Sequence, residues 1–366
     1  MRLGDICTIK YGKDHKKLND GDIPVYGSGG VMRHVEKALW NKPSVLIPRK
    51  GTLGNLFFVN KPFWTVDTCF WTDIDEKQVL PEYLFYQLKT KDLASLNVGT
   101  AVPSLTTDVL NEVEIDLPSL EKQRQAVEIL GSLDLKIEIN TRLNGYLEGL
   151  CQTLFDRFEA DENNAFVPIT SIAYVNPKRT LKKGTKALCV EMANLSTGGS
   201  FPSDWHVKVY HGGMKFKNGD TIMARITPCL ENGKTCYVNF LEEGQTGFGS
   251  TEYIVMAAKD ILPSEFFYFL ARNSNFVSYA IAHMNGSSGR QRVSSTDIEE
   301  YEVRMPNSSQ LIEFEKIAVP AMRTIRANSF ENRKLTELRD ALLPKLMSGE
   351  IDVSKIDATK LNSHLA

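Results

Sequence analysis

The chain has 366 residues, 42% hydrophobic and 24% charged, with a formal net charge of −2. That length accommodates two or three domains with ordinary cores, and the composition excludes a disordered chain, a fibrous repeat and a uniformly basic nucleic-acid binder. No apolar run reaches membrane-spanning length, and the opening MRLGDICTIKYG lacks a basic-then-apolar leader pattern, so a cytoplasmic protein with no membrane partner is expected.

The first segment, residues 1–115, is strand-rich and irregular. It carries a basic run, KYGKDHKK (10–17), a tight turn, YGSGG (26–30), and an apolar strand-turn-strand, PSVLIPRKGTLGNLFFV (43–59). A proline-started helix with an aromatic face, VLPEYLFYQL (79–88), and a small-residue loop, NVGTAVPSLTTD (97–108), complete it. Residues 116–162 follow the strand-like EVEIDLP with a long helical pattern. The segment 163–303 repeats the plan with PKRTLKKGTK (177–186), GDTIMARITPCLENGKTCYV (219–238), ILPSEFFYFL (261–270) and MNGSSGRQRVSSTD (284–297). Residues 304–351 follow the strand-like EYEVRMP (300–306) and return to a helical pattern, leaving a tail at 352–366. Charge is blocked along this order: residues 1–61 hold 11 Lys/Arg against 5 Asp/Glu, residues 166–220 hold 8 against 3, and residues 102–162 hold 13 acidic against 5 basic. Separate surfaces for separate partners are expected.

The two helical segments are copies. A shift of 188 positions superimposes Glu114 on Glu302, Pro118 on Pro306, Ile129 on Ile317, Ile137 on Ile325, Asn140 on Asn328, Asn144 on Asn332, Leu147 on Leu335, Leu150 on Leu338 and Leu154 on Leu342. In heptads the first helix has Leu130, Ile137, Asn144, Cys151 and Phe158 at one seam position and Leu133, Asn140, Leu147 and Leu154 at the other. The second has Ala318, Ile325, Asn332, Arg339 and Leu346, with Ala321, Asn328, Leu335 and Leu342. This is a coiled-coil seam, and Asn140, Asn144, Asn328 and Asn332 lie on it where leucine would be more stable; amides paired with one another would fix the register of the two helices. Pro320, Gly131, Gly145 and Gly149 predict kinks or fraying.

Catalytic patterns are weak. GKT (233–235) fails as a phosphate loop because Pro228 stands where its first glycine belongs, and YGSGG lacks dinucleotide spacing. NKPF (60–63) departs from the amino-methyltransferase loop at Lys61 and follows no glycine-rich cofactor loop. The six histidines form no metal-ligand pattern, and Cys7, Cys69, Cys151, Cys189, Cys229 and Cys236 form no CxxC pair, so buried reduced thiols, no metal and no catalytic residue are expected.

A DNA-binding reading uses cations for phosphates and forked or planar groups for base edges. Lys10, Lys13, Lys16 and Lys17 in the first segment, and Lys178, Arg179, Lys182 and Lys183 in the second, suit phosphates. Arg49, Lys50 and Thr52, Arg225 and Thr227, and Arg290, Gln291 and Arg292 lie in Gly/Ser/Thr-rich turns, as do Tyr26 and Ser28. Arginine pairs bidentately with guanine and glutamine with adenine, although any one of these arginines is equally suited to clamping backbone carbonyls.

The alternating globe-helix plan, VPSLTTDVLNEVEIDLPSLEKQRQ leading into the first helix, GSSGRQRVSSTDIEEYEVRMP leading into the second, and the ending LRDALLPKLMSGEI together resemble the specificity subunit of type I restriction-modification systems over about residues 1–353. The resemblance implies an α+β fold: two target recognition domains separated by two long antiparallel coiled-coil helices, with an internal pseudo-two-fold repeat. It further implies a non-catalytic subunit whose recognition domains each read half of a split, asymmetric site on double-stranded DNA, with the helices setting the unread gap. Two methyltransferase subunits would dock on it and bring S-adenosylmethionine, none being bound by this chain, and restriction-translocase subunits would join them. One departure is SSQLIEFEKI (308–317), which lacks the Glu-x-Gln of Glu121–Gln123. A two-headed protein- or RNA-binding scaffold, and the recognition part of a fused nuclease-methyltransferase, remain as alternatives.

Overall fold

In the computed structural model, residues 1–99, 102–287 and 289–352 are described; Thr100, Ala101 and Ser288 within the two loops, and the tail from 353, lie outside them. In chain order the elements are α1 (Leu3–Ile6), β1 (Cys7–Tyr11), β2 (Ile23–Gly27), β3 (Gly30–Val35), β4 (Ser44–Pro48), β5 (Phe57–Val59), β6 (Trp64–Thr65), β7 (Cys69–Ile74), α2 (Pro81–Lys89), α3 (Thr107–Asn111) and the long α4 (Leu120–Ala160). They continue with β8 (Phe166–Pro168), α5 (Ile169–Ile172), β9 (Ala173–Val175), β10 (Lys186–Val190), β11 (His206–Val209), β12 (Lys215–Phe216), β13 (Asp220–Ala224), β14 (Thr235–Tyr237), β15 (Gly247–Gly249) and β16 (Tyr253–Ala258). Last come α6 (Phe266–Arg272), α7 (Ser274–Ala282), α8 (Ser295–Glu299), β17 (Glu302–Arg304) and the long α9 (Ser308–Met347).

The chain forms two compact units: residues 1–136 with the chain from Lys334 onward, and residues 137–333. Each unit therefore takes one globe and one half of each long helix. Their topologies match. In the first, one antiparallel sheet runs β1-β7-β4-β5 and a second runs β3-β2-β6, with β2 parallel to β6. In the second, β9-β16-β13-β14 repeats the first order, and β10 sits between β11 and β15, parallel to β15, with β12 added antiparallel beyond β15 as a strand the first unit lacks among its described residues. The duplication, faint in the globes' sequences, covers their strand order as well as the helices.

Within the first unit the globe is fixed to α4 by Ala126, Ile129 and Leu130, and to α9 by Leu346 and Met347, all in one buried cluster with Leu84, Leu88 and Leu110. Gln123 is fully buried: its Oε1 accepts the Leu80 N–H at 2.9 Å, and its Nε2 donates to the carbonyls of Gln78 and Pro118. The glutamine of the Glu-x-Gln signature thus ties the start of α4 to the start of α2. Leu311, its counterpart under the 188-residue shift, packs against the apolar core of the second unit instead. In that unit Phe155, Phe158, Phe266, Phe269 and Phe314 form the corresponding cluster.

The helix halves within each unit are clasped differently. In the second unit Asn140 Nδ2 donates to Asn332 Oδ1 at 2.9 Å, and Asn328 Nδ2 donates to Asn144 Oδ1 at 2.8 Å. Rising numbers on one helix meet falling numbers on the other, so these halves are antiparallel, and the 188-residue shift converts each amide pair into the other. The pairing extends beyond asparagine: Asn140 also donates to Glu331 Oε2, Asn144 to Ser329 Oγ and Asn332 to Thr141 Oγ1. In the first unit the clasp is ionic, Arg339 Nη1 to Asp134 Oδ1 at 2.8 Å, with Tyr86 Oη donating to the other carboxylate oxygen.

The kinks predicted from Pro320 and the glycines do not break the helices: α4 and α9 run unbroken for 41 and 40 residues. Pro320 faces solvent, so the carbonyl that loses its N–H partner is left to water, and the cost is small at this position. The expected thiol state holds for Cys7, Cys69, Cys151, Cys189 and Cys236, which are buried and unbridged; burial pushes Cys7 up to about 12 and Cys151 to about 11, far from a reactive thiolate. Cys229 is half-buried. No helix among the described residues is long and apolar enough to cross a membrane.

Candidate nucleic-acid interface

Both units build the same corner. A central strand, β4 or β13, is followed directly by an arginine, Arg49 or Arg225, and the next residues lie against the loop that precedes α3 or α8. Four backbone hydrogen bonds recur: Leu105 N–H to Arg49 O (2.9 Å) and Val293 N–H to Arg225 O (3.0 Å); Gly51 N–H to Pro103 O (3.2 Å) and Thr227 N–H to Gln291 O (3.0 Å); Arg49 N–H to Thr68 O (2.8 Å) and Arg225 N–H to Glu252 O (3.0 Å); Val98 N–H to Ser104 O (2.9 Å) and Asn285 N–H to Arg292 O (2.9 Å). The match equates Thr68 with Glu252, Pro103 with Gln291 and Ser104 with Arg292. Each loop then ends in a capped helix start, Thr106 Oγ1 accepting from Val109 N–H and Ser294 Oγ from Asp297 N–H.

In the first unit the corner is open. Arg49 Nη1 donates to the Asp67 carbonyl at 3.1 Å, with the guanidinium 5.3 Å from the Tyr11 ring centre, while Lys50 and Thr52 are exposed. Gly51 has φ +89°, and a side chain there would start 3.5 Å from Ser28 Oγ, so glycine lets this loop lie beside the β2–β3 turn. Asn55 Nδ2 donates to Ser28 O at 2.9 Å and ties the two loops together. A hollow of about 710 Å³ lies among His15 and Lys16, Gly27 to Gly29 and Val66 to Thr68. Lys13, Lys16 and Lys17 are exposed around it. Lys10 and Tyr26 are placed differently from the sequence expectation of ligand-facing groups. Lys10 sits in β1, its Nζ 3.0 Å from Asp73 Oδ2 and close over the Trp71 and Trp40 rings, and Tyr26 is half-buried against Phe57 and Phe63.

In the second unit the corner is closed by a carboxylate. Glu252 accepts from Arg292 Nε at 2.9 Å and Nη2 at 2.8 Å, and from Arg225 Nε at 3.2 Å. The Arg292 hydrogen bonds hold the Glu252 carboxyl below the usual carboxylate range, with Arg225 adding to the effect. Of the two arginines that the sequence suits to base contact or to clamping, Arg292 uses Nε, Nη1 and Nη2 within the protein, whereas Arg225 is held through Nε alone. Arg292 Nη1 also donates to Arg290 O at 2.8 Å. Arg290 is exposed and Gln291 half-exposed, on a loop turned by Gly286 (φ +129°) and Gly289 (φ +77°). Thr227 Oγ1 lies 3.2 Å from Glu231 Oε1. Lys178, Lys182 and Lys183 are exposed, but Arg179 donates to the buried Asp220 carboxylate at 2.5 Å and so belongs to the interior. Burial pushes the Asp220 carboxyl up against the pull of the Lys217 N–H and of Arg179.

Of the sequence-selected groups, the structure brings Ser28, Arg49, Lys50, Thr52 and Lys16 to neighbouring loops of the first unit. It brings Arg225, Thr227, Arg290, Gln291 and Arg292 to one corner of the second. Glu252, Thr68 and Asp67 were not selected from the sequence; the signal available was the repeated pattern of a residue directly before the last core strand, β7 or β16. No group of three or more His, Cys, Asp or Glu suited to a metal ion occurs among the described residues.

Comparison with known proteins gives a consistent picture. Residues 1–148 match the family model described as type I restriction modification DNA specificity domain. The chain is 25% identical over 401 aligned positions to the type I restriction enzyme MjaIX specificity subunit of Methanocaldococcus jannaschii, covering 93% of this chain and 89% of that one. It is 24% identical to the HindI specificity subunit of Haemophilus influenzae, over 75% of this chain and 78% of the relative. In structure it is similar to a type I restriction-modification S subunit from M. genitalium, with a TM-score of 0.63 and 16% identity, covering 95% of each chain, a likeness of fold.

Proposed function

We propose that this chain, a member of the family of type I restriction-modification specificity subunits, recognises a split DNA sequence through its two repeated corners. The first unit's loops around Ser28, Arg49, Lys50 and Thr52 contact one half-site, and the second unit's around Thr227, Arg290 and Gln291 the other. The exposed lysines 13, 16, 17, 178, 182 and 183 supply sequence-independent phosphate contacts. α4 and α9, each about 60 Å long at 1.5 Å per residue, set the unread gap and dock two methyltransferase subunits, and the acidic face of α4 complements basic partner surfaces. Catalysis belongs to those partners: they bind S-adenosylmethionine and extrude the target adenine, and restriction-translocase subunits join for cleavage.

The observation that carries this reading is the repetition of one corner, backbone bond for backbone bond, with different side chains at its tips. A repeated scaffold with altered tips suits two readers of different sequences. The test is protection of duplex DNA by the chain bound to its methyltransferase partners, across salt concentrations. One bipartite sequence should be protected with steep salt dependence, and equal affinity for all duplexes would overturn the reading. Inserting one heptad into both long helices lengthens each by about 10 Å. The unread gap should then grow by about three base pairs, at about 3.4 Å per pair, with both half-sites unchanged.

A further inference from the structure

The corner of the second unit contains a feature the first lacks, and we infer that Glu252 is a specificity-determining positioning residue: it takes the Arg292 fork out of base contact, anchors Arg225 by Nε, and makes Arg290 and Gln291 the base-reading pair. This rests on the DNA-recognition reading above and adds which side chains read and which one holds them.

The argument is geometric. Arg292 is bound to Glu252 through Nε and Nη2 and to the Arg290 carbonyl through Nη1, so one guanidinium links the carboxylate to the backbone of the tip. The Gln291 carbonyl accepts from Thr227 N–H, the Val293 N–H donates to Arg225 O, and Arg225 Nε returns to Glu252. Three side-chain and two backbone links thus surround residues 290–293. The tip emerges with the backbone of Arg290 and Gln291 held on both sides and their side chains outward. A bidentate base contact needs its donor placed within a few tenths of an ångström, and loop residues reach that precision only when neighbouring hydrogen bonds hold them. In the first unit Thr68 and Ser104 occupy the equivalent positions and are too short to bridge in this way. There the tip is pinned by Asn97 Oδ1, which accepts from the Gly99 and Ser104 N–H groups, and Arg49 remains at the surface. The two corners therefore read with different parts: the post-strand residues 49–52 in the first, the pre-helix tip 290–291 in the second.

The experiment uses the full chain in complex with its methyltransferase subunits and a panel of duplexes varied one base pair at a time through both half-sites. Glu252→Gln should reduce the preference at the second unit's half-site by about tenfold or more, leaving preference at the other half-site intact. Glu252→Asp, which keeps the charge, should restore part of that preference. Arg290→Ala and Gln291→Ala should each relax a single base position. Should Glu252→Gln melt the second unit, the decision passes to Glu252→Asp, Arg290→Ala and Gln291→Ala. The proposal is overturned if Glu252→Gln weakens all duplexes equally, if Arg225→Ala or Arg292→Ala relaxes one base position while Glu252→Gln changes nothing, or if Arg290→Ala and Gln291→Ala leave every base preference as in the parent. A parent complex with no preference at either half-site would instead overturn the DNA-recognition reading itself.

Discussion

The strand that leads to each corner poses the same problem, and the two units answer it in opposite ways. Ser44 opens β4 and Asp220 opens β13, both almost fully buried, each five positions before its corner arginine. In the first unit the answer is neutral: Ser44 Oγ donates to Thr72 O at 2.8 Å, while Thr72 Oγ1 serves both the N–H and the carbonyl of Val45. In the second it is ionic, with Asp220 between Arg179 and the Lys217 N–H. A hydroxyl satisfied by the neighbouring strand of its own sheet depends on no loop outside that sheet. A buried carboxylate depends on a guanidinium supplied from 41 residues away, so the loop before β10 is coupled to the central sheet of its unit.

The largest effect should follow from cutting that coupling. Arg179→Ala strands a buried carboxylate and should destabilise the second unit by about 3 kcal/mol, at the lower end for broken buried pairs because Lys217 N–H still serves Asp220. Ser44→Ala should cost the first unit only about 1 kcal/mol. Denaturant unfolding of each variant checks the difference, and equal losses would dissolve the contrast between the two strands.

A second contrast lies between the helix clasps. Asn140→Leu or Asn332→Leu alone leaves the partner amide short of a hydrogen bond in a partly buried seam and should cost about 1–3 kcal/mol. The double variant should recover much of this, because two leucines pack where two amides had to be satisfied, and it should loosen register in exchange. Arg339→Ala in the first unit has no such rescue, since Asp134 is left without its guanidinium. A double-mutant cycle on each pair measures this directly.

The legibility of these features in the sequence follows the range of the interactions. The asparagine pairs were visible because both partners recur at a fixed shift within a strong heptad pattern, so Asn140, Asn144, Asn328 and Asn332 announce one another. The corner arginines were visible as residues in turns, but their roles were not. Glu252 lies 27 positions from Arg225 and 40 from Arg292, and only sheet register places it between them. Lys10 looked like part of a basic run because its partner, Asp73, comes from a neighbouring strand 63 residues later. Gln123 was flagged by its motif, yet its work on the Leu80 N–H depends on a fold the motif does not describe. The predicted interruption at Pro320 failed because proline's cost depends on which face it occupies.

Titration should separate the corners further. Glu252 has a carboxyl lowered from its ordinary value of 4.5, so the folded state binds fewer protons there than the unfolded state between the two values. Its contribution is present above about pH 4.5 and fades as pH falls through the folded value. The difference in unfolding free energy between the parent and Glu252→Gln should be greatest near neutrality, about 1 kcal/mol or less for so accessible a pair, and shrink in acid. Thr68→Val, at the matching place in the first unit, should show no such pH dependence.

The smallest effect concerns the far end of α4. Glu159 is buried, one carboxylate oxygen has no hydrogen-bond partner, and burial raises its carboxyl above 4.5 against the pull of the Arg304 backbone N–H and charge. The 188-residue shift places Met347, also buried, at the equivalent spot in the first unit, where no charge has to be accommodated. For Glu159 the sign is opposite to that of Glu252: the folded state binds more protons, so stability falls as pH rises through the window above 4.5. Glu159→Gln keeps a polar group of the same shape while removing the charge, and should raise stability at neutral pH by about 1 kcal/mol or less, with the gain vanishing near pH 4. Glu159→Met copies the first unit's residue but gives up every polar atom beside the Arg304 charge, and should gain less than the glutamine. A larger gain from methionine would show that the apolar solution of the first unit transfers to the second without regard to the charge beside it.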